Sequence, residues 1–262
     1  MLAADPAFRV VAVRRPGSTP LPGIESVGID LSAADAASRL LALRPDAVVS
    51  AAPLFSVSAA LRALAGPPGI RVVACSSMSA VSKAGSAVPA DRRVAALLLA
   101  GEADLLGGLA AEPPLVIRPT MIYGDPATAN VARMQRFARR RGFLPRPSGR
   151  TGLRQPLHAD DLAAALVAAV RPGAPAGVME LGGGSRIPFG GMVEAIARAE
   201  GVRVVVVPAW GASAAGRVAG ALRVPGAGAL YRLCQDQVAD NACAEATLGV
   251  RPRPFLPLRE EA

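Results

Sequence analysis

The chain has 262 residues, 52% of them hydrophobic, enough for one large α/β domain or two smaller ones around a sizeable core. Every run of about 18 residues is interrupted by Arg, Asp, Glu or Pro, which argues against a membrane span, and the opening "MLAADPAFRV" lacks the basic start and long apolar centre of a secretory signal. The net charge of +9 comes from arginines scattered along the chain without aromatic interleaving, so neither nucleic acid nor a membrane is an expected partner.

The densest basic cluster, Arg136, Arg139, Arg140 and Arg141, reads as the solvated face of a helix. Cys75, Cys234 and Cys243 show no metal-type spacing, so reduced thiols, a cytoplasmic location and no metal site are expected. In chain order, β-branched runs predict strands at 8–13, 24–29, 46–51, 71–76, 114–119, 178–183 and 202–208. Alanine- and leucine-rich stretches between them predict helices at 33–43, 56–65, 90–106, 127–141, 160–170 and 189–200. Ser32 and Asp160 stand where side chains could cap two of those helices. Short apolar strands alternating with helices imply a doubly wound parallel sheet with helices on both faces. Proline and glycine thicken after residue 142, which divides the chain into a core at 1–142 and a loopier part at 143–262 that also returns elements to the core.

Ligands of such sheets sit beyond the carboxyl ends of the strands. The first predicted strand closes on Arg14 and Arg15, which suit a 2′-phosphate better than a ribose hydroxyl and favour NADP over NAD. Asp30 and Leu31 follow the second strand, where an adenine ring could lie. Ser50, Ala51 and Ala52 follow the third, and their small side chains admit a cofactor close to the backbone. "RVVACSSMSAVSK" closes the fourth strand with Ser76, Ser77, Ser79 and Lys83.

With "RPTMIYGD" (118–125), "RQPLHADDLAAAL" (154–166) and "ATLGVRPRPF" (246–255), these strand ends give a sequence that resembles the extended or atypical short-chain dehydrogenase/reductase family, the branch of NAD-dependent epimerases/dehydratases acting on nucleotide sugars. The resemblance spans about residues 8–256. It implies a Rossmann-like domain that binds NAD(P), with a small C-terminal substrate lobe. It places Ser76, Pro119, Thr120, Met121 and Tyr123 at the cofactor, Arg154 near a phosphate of a phosphorylated or nucleotide-linked substrate, and Asp161 at the start of a helix. His158 reads more readily as a locally packed side chain than as a catalytic one.

Two departures accompany the match. The first strand and glycine-rich turn of the family, which hold a pyrophosphate through backbone N–H groups, have no counterpart before residue 30. A missing central strand would forfeit about four buried side chains at roughly 1.5–3 kcal/mol each, against a whole-domain stability of about 5–15 kcal/mol. The expectation is that Met1 is an internal methionine. Second, family hydride chemistry rests on Tyr-x-x-x-Lys plus a hydroxyl, and neither Tyr123 nor Tyr231 has a lysine four residues later. The three positions correspond to Met78, Val94 and Leu98, which cannot exchange protons.

Ser77, Ser79 and Lys83 are then the candidates for replacement catalysis. Two readings stay open: an atypical NAD(P)-dependent reductase or epimerase, and a non-catalytic NAD(P)-binding or sensor protein. The helix carrying Val94 and Leu98 is expected to bury its apolar side against the sheet or in a homodimer. Trp210 and Tyr231 could line a substrate pocket or plug the core of the lobe.

Overall fold

The computed structural model describes residues 5–66, 69–107, 112–124, 129–207 and 232–256. Met1, Trp210 and Tyr231 lie outside them. In chain order the elements begin with β1 (Val11–Arg14), β2 (Glu25–Gly28), α1 (Ala36–Leu41), β3 (Ala47–Ser50), α2 (Leu54–Ala65), β4 (Arg71–Cys75), α3 (Ser79–Ser82) and α4 (Pro89–Leu106). They continue through β5 (Leu115–Pro119), β6 (Ile122–Tyr123), α5 (Ala129–Arg141), β7 (Phe143–Pro147), β8 (Leu153–Arg154), β9 (Leu157–His158) and α6 (Ala159–Ala169). The last are β10 (Gly177–Leu181), β11 (Ile187–Pro188), α7 (Phe189–Glu200), β12 (Arg203–Val207) and α8 (Ala242–Leu248). All seven strands and six helices anticipated from periodicity are present within a few residues of their expected bounds.

Two compact units interleave along the chain. One comprises Met1–Ser76, Leu98–Ile117 and Ala163–Met179, and the other Ser77–Leu97, Arg118–Leu162 and Glu180–Ala262.

A sheet of order β10-β5-β4-β3 has β5 and β4 as its two inner strands. β3 and β5 both pair with β4 in parallel. Val72, Val73 and Ala74 are all fully buried, and so are Leu115, Val116 and Ile117. Successive strand residues point to opposite faces, so both faces of this sheet are covered, as a βαβ architecture requires. α2 packs on β4 through Leu61 and Leu64. Within α4, a Cβ added at Gly101 would lie 2.9 Å from Phe55 N and 3.0 Å from Phe55 Cα, so the glycine lets α4 approach the start of α2 backbone to backbone. Arg71 at the head of β4 donates to the carbonyls of Ala169, Pro113 and Pro175 and ties connecting segments to the sheet.

β1 and β2 form a separate parallel pair, with Val11 opposite Glu25 and Arg14 opposite Gly28. Val13 and Val27 nevertheless pack on the same apolar cluster as Val48, Leu54, Leu61 and Val72. One core therefore supports two ladders that share no hydrogen-bonded strand pair.

The second unit holds short pairs: β12 with β7 and β6 with β9 in parallel, β11 with β8 antiparallel. Its core gathers Tyr123, Val131, Leu144, Met192, Val193, Ile196 and Phe255. Buried Glu200 accepts from Gln135 Nε2 at 2.9 Å and faces Arg139 Nη1 at 3.4 Å, so the acid at the end of α7 stays compensated.

Neither expected helix cap forms. Ser32 turns its backbone N–H and hydroxyl to Asp30, at 3.0 and 2.7 Å, and α1 starts four residues later behind Asp35, with no side-chain cap. Asp160 lies inside the first turn of α6, and its N–H donates to His158 Nδ1 at 3.2 Å. In both places a neighbouring side chain competes successfully for the local donor. Among the described residues, no helix is long and apolar enough to cross a membrane.

Candidate functional site

In the first unit the candidate residues stand at the carboxyl ends of β1 to β4. Arg14 ends β1. Its Nη1 donates to the Ser18 carbonyl, while its buried Nε has no hydrogen-bond partner among the described residues. Ile29 N donates to Arg14 O at 2.9 Å and fixes the ends of β1 and β2 side by side. Asp30 is exposed, and the two hydrogen bonds from Ser32, with a smaller contribution from the Arg15 charge, hold its carboxyl below the usual range. Leu31 is half-buried against the core. This corner sets the Asp30 carboxylate within the field of the Arg15 guanidinium.

After β3, Ser50 is buried and its Oγ accepts from Ala52 N at 3.4 Å. Ala51 is exposed and Ala52 half-buried, so the segment leading to Pro53 and α2 is lined by small side chains. After β4, Ser76 donates its hydroxyl to Glu102 Oε1 on α4, and its N–H to the Ile117 carbonyl at 2.8 Å. Glu102 is buried, a partner for Ser76 that no local pattern assigns. An acid within the largely apolar "VAALLLAGEADLL" was the available signal.

No glycine-rich turn leads from any described strand of this unit into a helix, so a pyrophosphate cradle of that kind is not among the described residues.

In the second unit Met78 is buried, and its N–H donates to the Pro119 carbonyl at 3.0 Å. Ser77 Oγ accepts from Ser79 N at 3.1 Å and starts α3. Ser79 is half-buried, and its Oγ has no hydrogen-bond partner among the described residues. Lys83 Nζ stands 3.9 Å from Asp91 Oδ1, both side chains being largely buried. Asp91 also accepts from Ser86 Oγ at 3.2 Å. Arg92 donates to the Ser86 carbonyl at 2.7 Å, closing a small polar cluster around the start of α4. Nothing local in the sequence marks an acid eight residues away as the partner of this lysine. Val94 on α4 is exposed, and Leu98, in the first unit, is buried.

The remaining candidates are built into packing. Thr120 donates its hydroxyl to the Gln155 carbonyl, and Met121 O accepts from Leu157 N at 2.9 Å. Tyr123 is buried edge-on against His158 and Phe255, with ring centroids 5.1 and 4.9 Å apart. Its hydroxyl accepts from Leu256 N at 3.3 Å, and burial pushes its pKa up. His158 is buried, its ring against Tyr123 and its Nδ1 accepting from Asp160 N. Asp161 receives Arg253 through backbone N, Nε and Nη2, each at 2.9 Å, and this pairing raises the Arg253 pKa. Arg154 is buried, with Nη1 donating to the carbonyls of Leu153 and Gln235 at 2.8 and 2.7 Å. Its guanidinium lies over the Phe189 ring, 5.4 Å from the centroid. Among the described residues no group of three or more His, Cys, Asp or Glu side chains could hold a metal ion.

No protein-family model matches the sequence, and no curated protein matches it. Solved structures match its fold. The Bordetella bronchiseptica enzyme WbmG, crystallised with NAD and UDP, superposes with a TM-score of 0.68 at 15% identity, covering 95% of this chain and 84% of that one. UDP-N-acetylglucosamine 4-epimerase from Bacillus cereus gives 0.64 at 16% identity, covering 92% and 84%. dTDP-glucose 4,6-dehydratase from Bacillus anthracis, in complex with NAD, gives 0.63 at 15% identity, covering 88% and 75%. The chain has the Rossmann-like α/β fold of the NAD-dependent epimerases and dehydratases, as the resemblance in its sequence implies.

Proposed function

We propose that this chain binds NAD(P) in the manner of the nucleotide-sugar epimerases and dehydratases and acts on a phosphorylated or nucleotide-linked small molecule, without the serine–tyrosine–lysine triad. The observation that carries the reading is the fold shared over 95% of the chain with an enzyme crystallised with NAD and UDP. Residues 1–142 would supply the dinucleotide-binding core and 143–262 mainly the substrate lobe. Arg14 and Arg15 favour NADP, although the WbmG and dTDP-glucose 4,6-dehydratase structures hold NAD. Asp30, Leu31, Ser50, Ala51, Ala52 and Ser76 would line the cofactor, with Pro119, Thr120, Met121 and Tyr123 shaping its nicotinamide side and Arg154 meeting a substrate phosphate.

When bound, the nicotinamide supplies reversible hydride exchange. The residues of this chain would then orient the substrate oxygen through Ser79, whose hydroxyl has no protein partner among the described residues, while Ser77 holds the turn. Lys83 would carry the positive charge, moderated by Asp91. The protein would work in the cytoplasm, as a homodimer joined along α4.

A second reading, a non-catalytic NAD(P) sensor, is favoured by Val94 and Leu98, neither of which can move a proton. One experiment separates the two: NADPH and NADH binding, followed by cofactor absorbance with a panel of sugar nucleotides and carbonyl compounds. Turnover that Lys83→Ala lowers at least about a hundredfold, within the usual range for a lost acid–base group, supports the enzyme. Tight cofactor binding with no turnover supports the sensor, and no binding of either cofactor overturns both.

A further inference from the structure

We infer that the exposed face of α5 is a docking surface for an acidic polypeptide segment, a short stretch rich in Glu or Asp with an apolar residue among them. α5 turns Val131, Ala132 and Ala138 inward, where they are buried in the second unit. It leaves Arg133, Arg136, Arg140 and Arg141 exposed around Phe137, itself 39% exposed. Among the described residues, none of these four arginine side chains has an ion-pair or hydrogen-bond partner. Arg133, Arg136 and Arg140 follow one another at i, i+3 and i+7, so like charges crowd on neighbouring turns at a cost to the helix.

The helix itself accounts for only part of this charge. Cations in a last turn meet the negative end of the helix dipole, which suits Arg139, Arg140 and Arg141. Arg133 and Arg136 lie before that turn, where the effect has fallen away. Two more exposed arginines stand at the same end of the unit. Arg198 is in the last turn of α7, two residues from Glu200, and Arg203 lies opposite Phe143 in the β12–β7 ladder. Phe143 in turn meets the Phe137 ring edge-on, with centroids 5.7 Å apart.

The unit shows what such a face receives. One oxygen of the buried Glu200 carboxylate stands 3.4 Å from Arg139 Nη1, and the other accepts from Gln135 Nε2 at 2.9 Å. A carboxylate from a neighbouring helix thus meets one arginine of α5, and the outward arginines offer the same chemistry. A bilayer would need an apolar helix face, and that side of α5 is already used in the core. A nucleic-acid strand would need a groove that follows its backbone and several stacking rings, whereas α5 is a convex rod with one exposed ring. An acidic segment needs neither. Its carboxylates pair with the arginines and its apolar residue rests on Phe137, an aromatic anchor of the kind that interfaces set beside arginine. A helix of 13 residues is about 20 Å long, so the contact is small and transient. The inference uses nothing from the proposed cofactor chemistry.

Fluorescence anisotropy tests it on the full chain. The probe is a labelled peptide of about 14 residues that carries glutamates at helical spacing around a pair of leucines, with a second peptide bearing glutamines instead. At about 0.1 M salt the glutamate peptide should bind with a Kd below about 0.1 mM, and the glutamine peptide at least about tenfold more weakly. Arg136→Glu combined with Arg140→Glu should weaken the glutamate peptide at least about tenfold, and Phe137→Ala at least about threefold. Arg44→Glu combined with Arg251→Glu, at exposed arginines elsewhere, makes the same change in net charge and should alter Kd less than about twofold. Far-UV spectra check that each variant is folded, and should charge reversal unfold α5, Arg136→Gln with Arg140→Gln gives the comparison. No binding of the glutamate peptide overturns the inference, and so does an equal loss in the two double variants. A single-stranded DNA of about 16 nucleotides that binds more tightly than the peptide, through Arg136 and Arg140, assigns the face to nucleic acid and overturns the acidic polypeptide.

Discussion

Cys75 closes β4 with its thiol pushed up to about 11 by burial, so it stays protonated at neutral pH and makes a poor nucleophile. Cys234 and Cys243 are exposed. With a disulfide reagent at about pH 8, Cys234 and Cys243 should react quickly and Cys75 at least about tenfold more slowly until the protein unfolds; equal rates at all three would show that Cys75 is accessible. The sign of the linkage follows: the folded state keeps this proton after the unfolded chain has begun to lose it near 9, so the contribution of Cys75 falls as pH rises from there towards 11. At this scale the sequence was least informative. Ser76 reads as a cofactor residue because it ends a strand, yet its hydroxyl is given to Glu102, 26 positions away. Thr120 likewise serves the Gln155 carbonyl, 35 positions away. Such pairings depend on tertiary neighbours, which no local pattern encodes.

α4 and the start of α2 meet because Gly101 leaves out a side chain where the Phe55 backbone passes. Gly101→Val should destabilise the protein by about 2–3 kcal/mol, since the new atoms must displace backbone rather than a flexible side chain. Urea unfolding measures it, and an unchanged midpoint would mean that the two helices do not lie this close. Most elements were legible because their apolar periodicity is long enough to count. β6, β8, β9 and β11 are two residues each and carry no period. β7, "FLPRP", contains two prolines that argue against a central strand, and among the described residues it pairs with β12 alone, where an edge tolerates them.

At the scale of the molecule, Leu97 is 43% exposed and Val94 39% exposed on α4, the surface proposed to join two subunits. Leu97→Glu should turn a dimer into a monomer by sedimentation while the far-UV spectrum stays the same; an unaltered mass would place the subunit contact elsewhere. The parallel fold was readable from the alternation of strands and helices, but the partition into interleaved units was not, because it depends on which distant segments pack together. That partition governs how the protein is made. The first unit needs Ala163–Met179 as well as Met1–Ser76. A nascent chain emerging from the ribosome therefore carries its early strands unfinished until that late segment has been synthesised, and a chaperone that shields those strands during translation would act before either unit has closed.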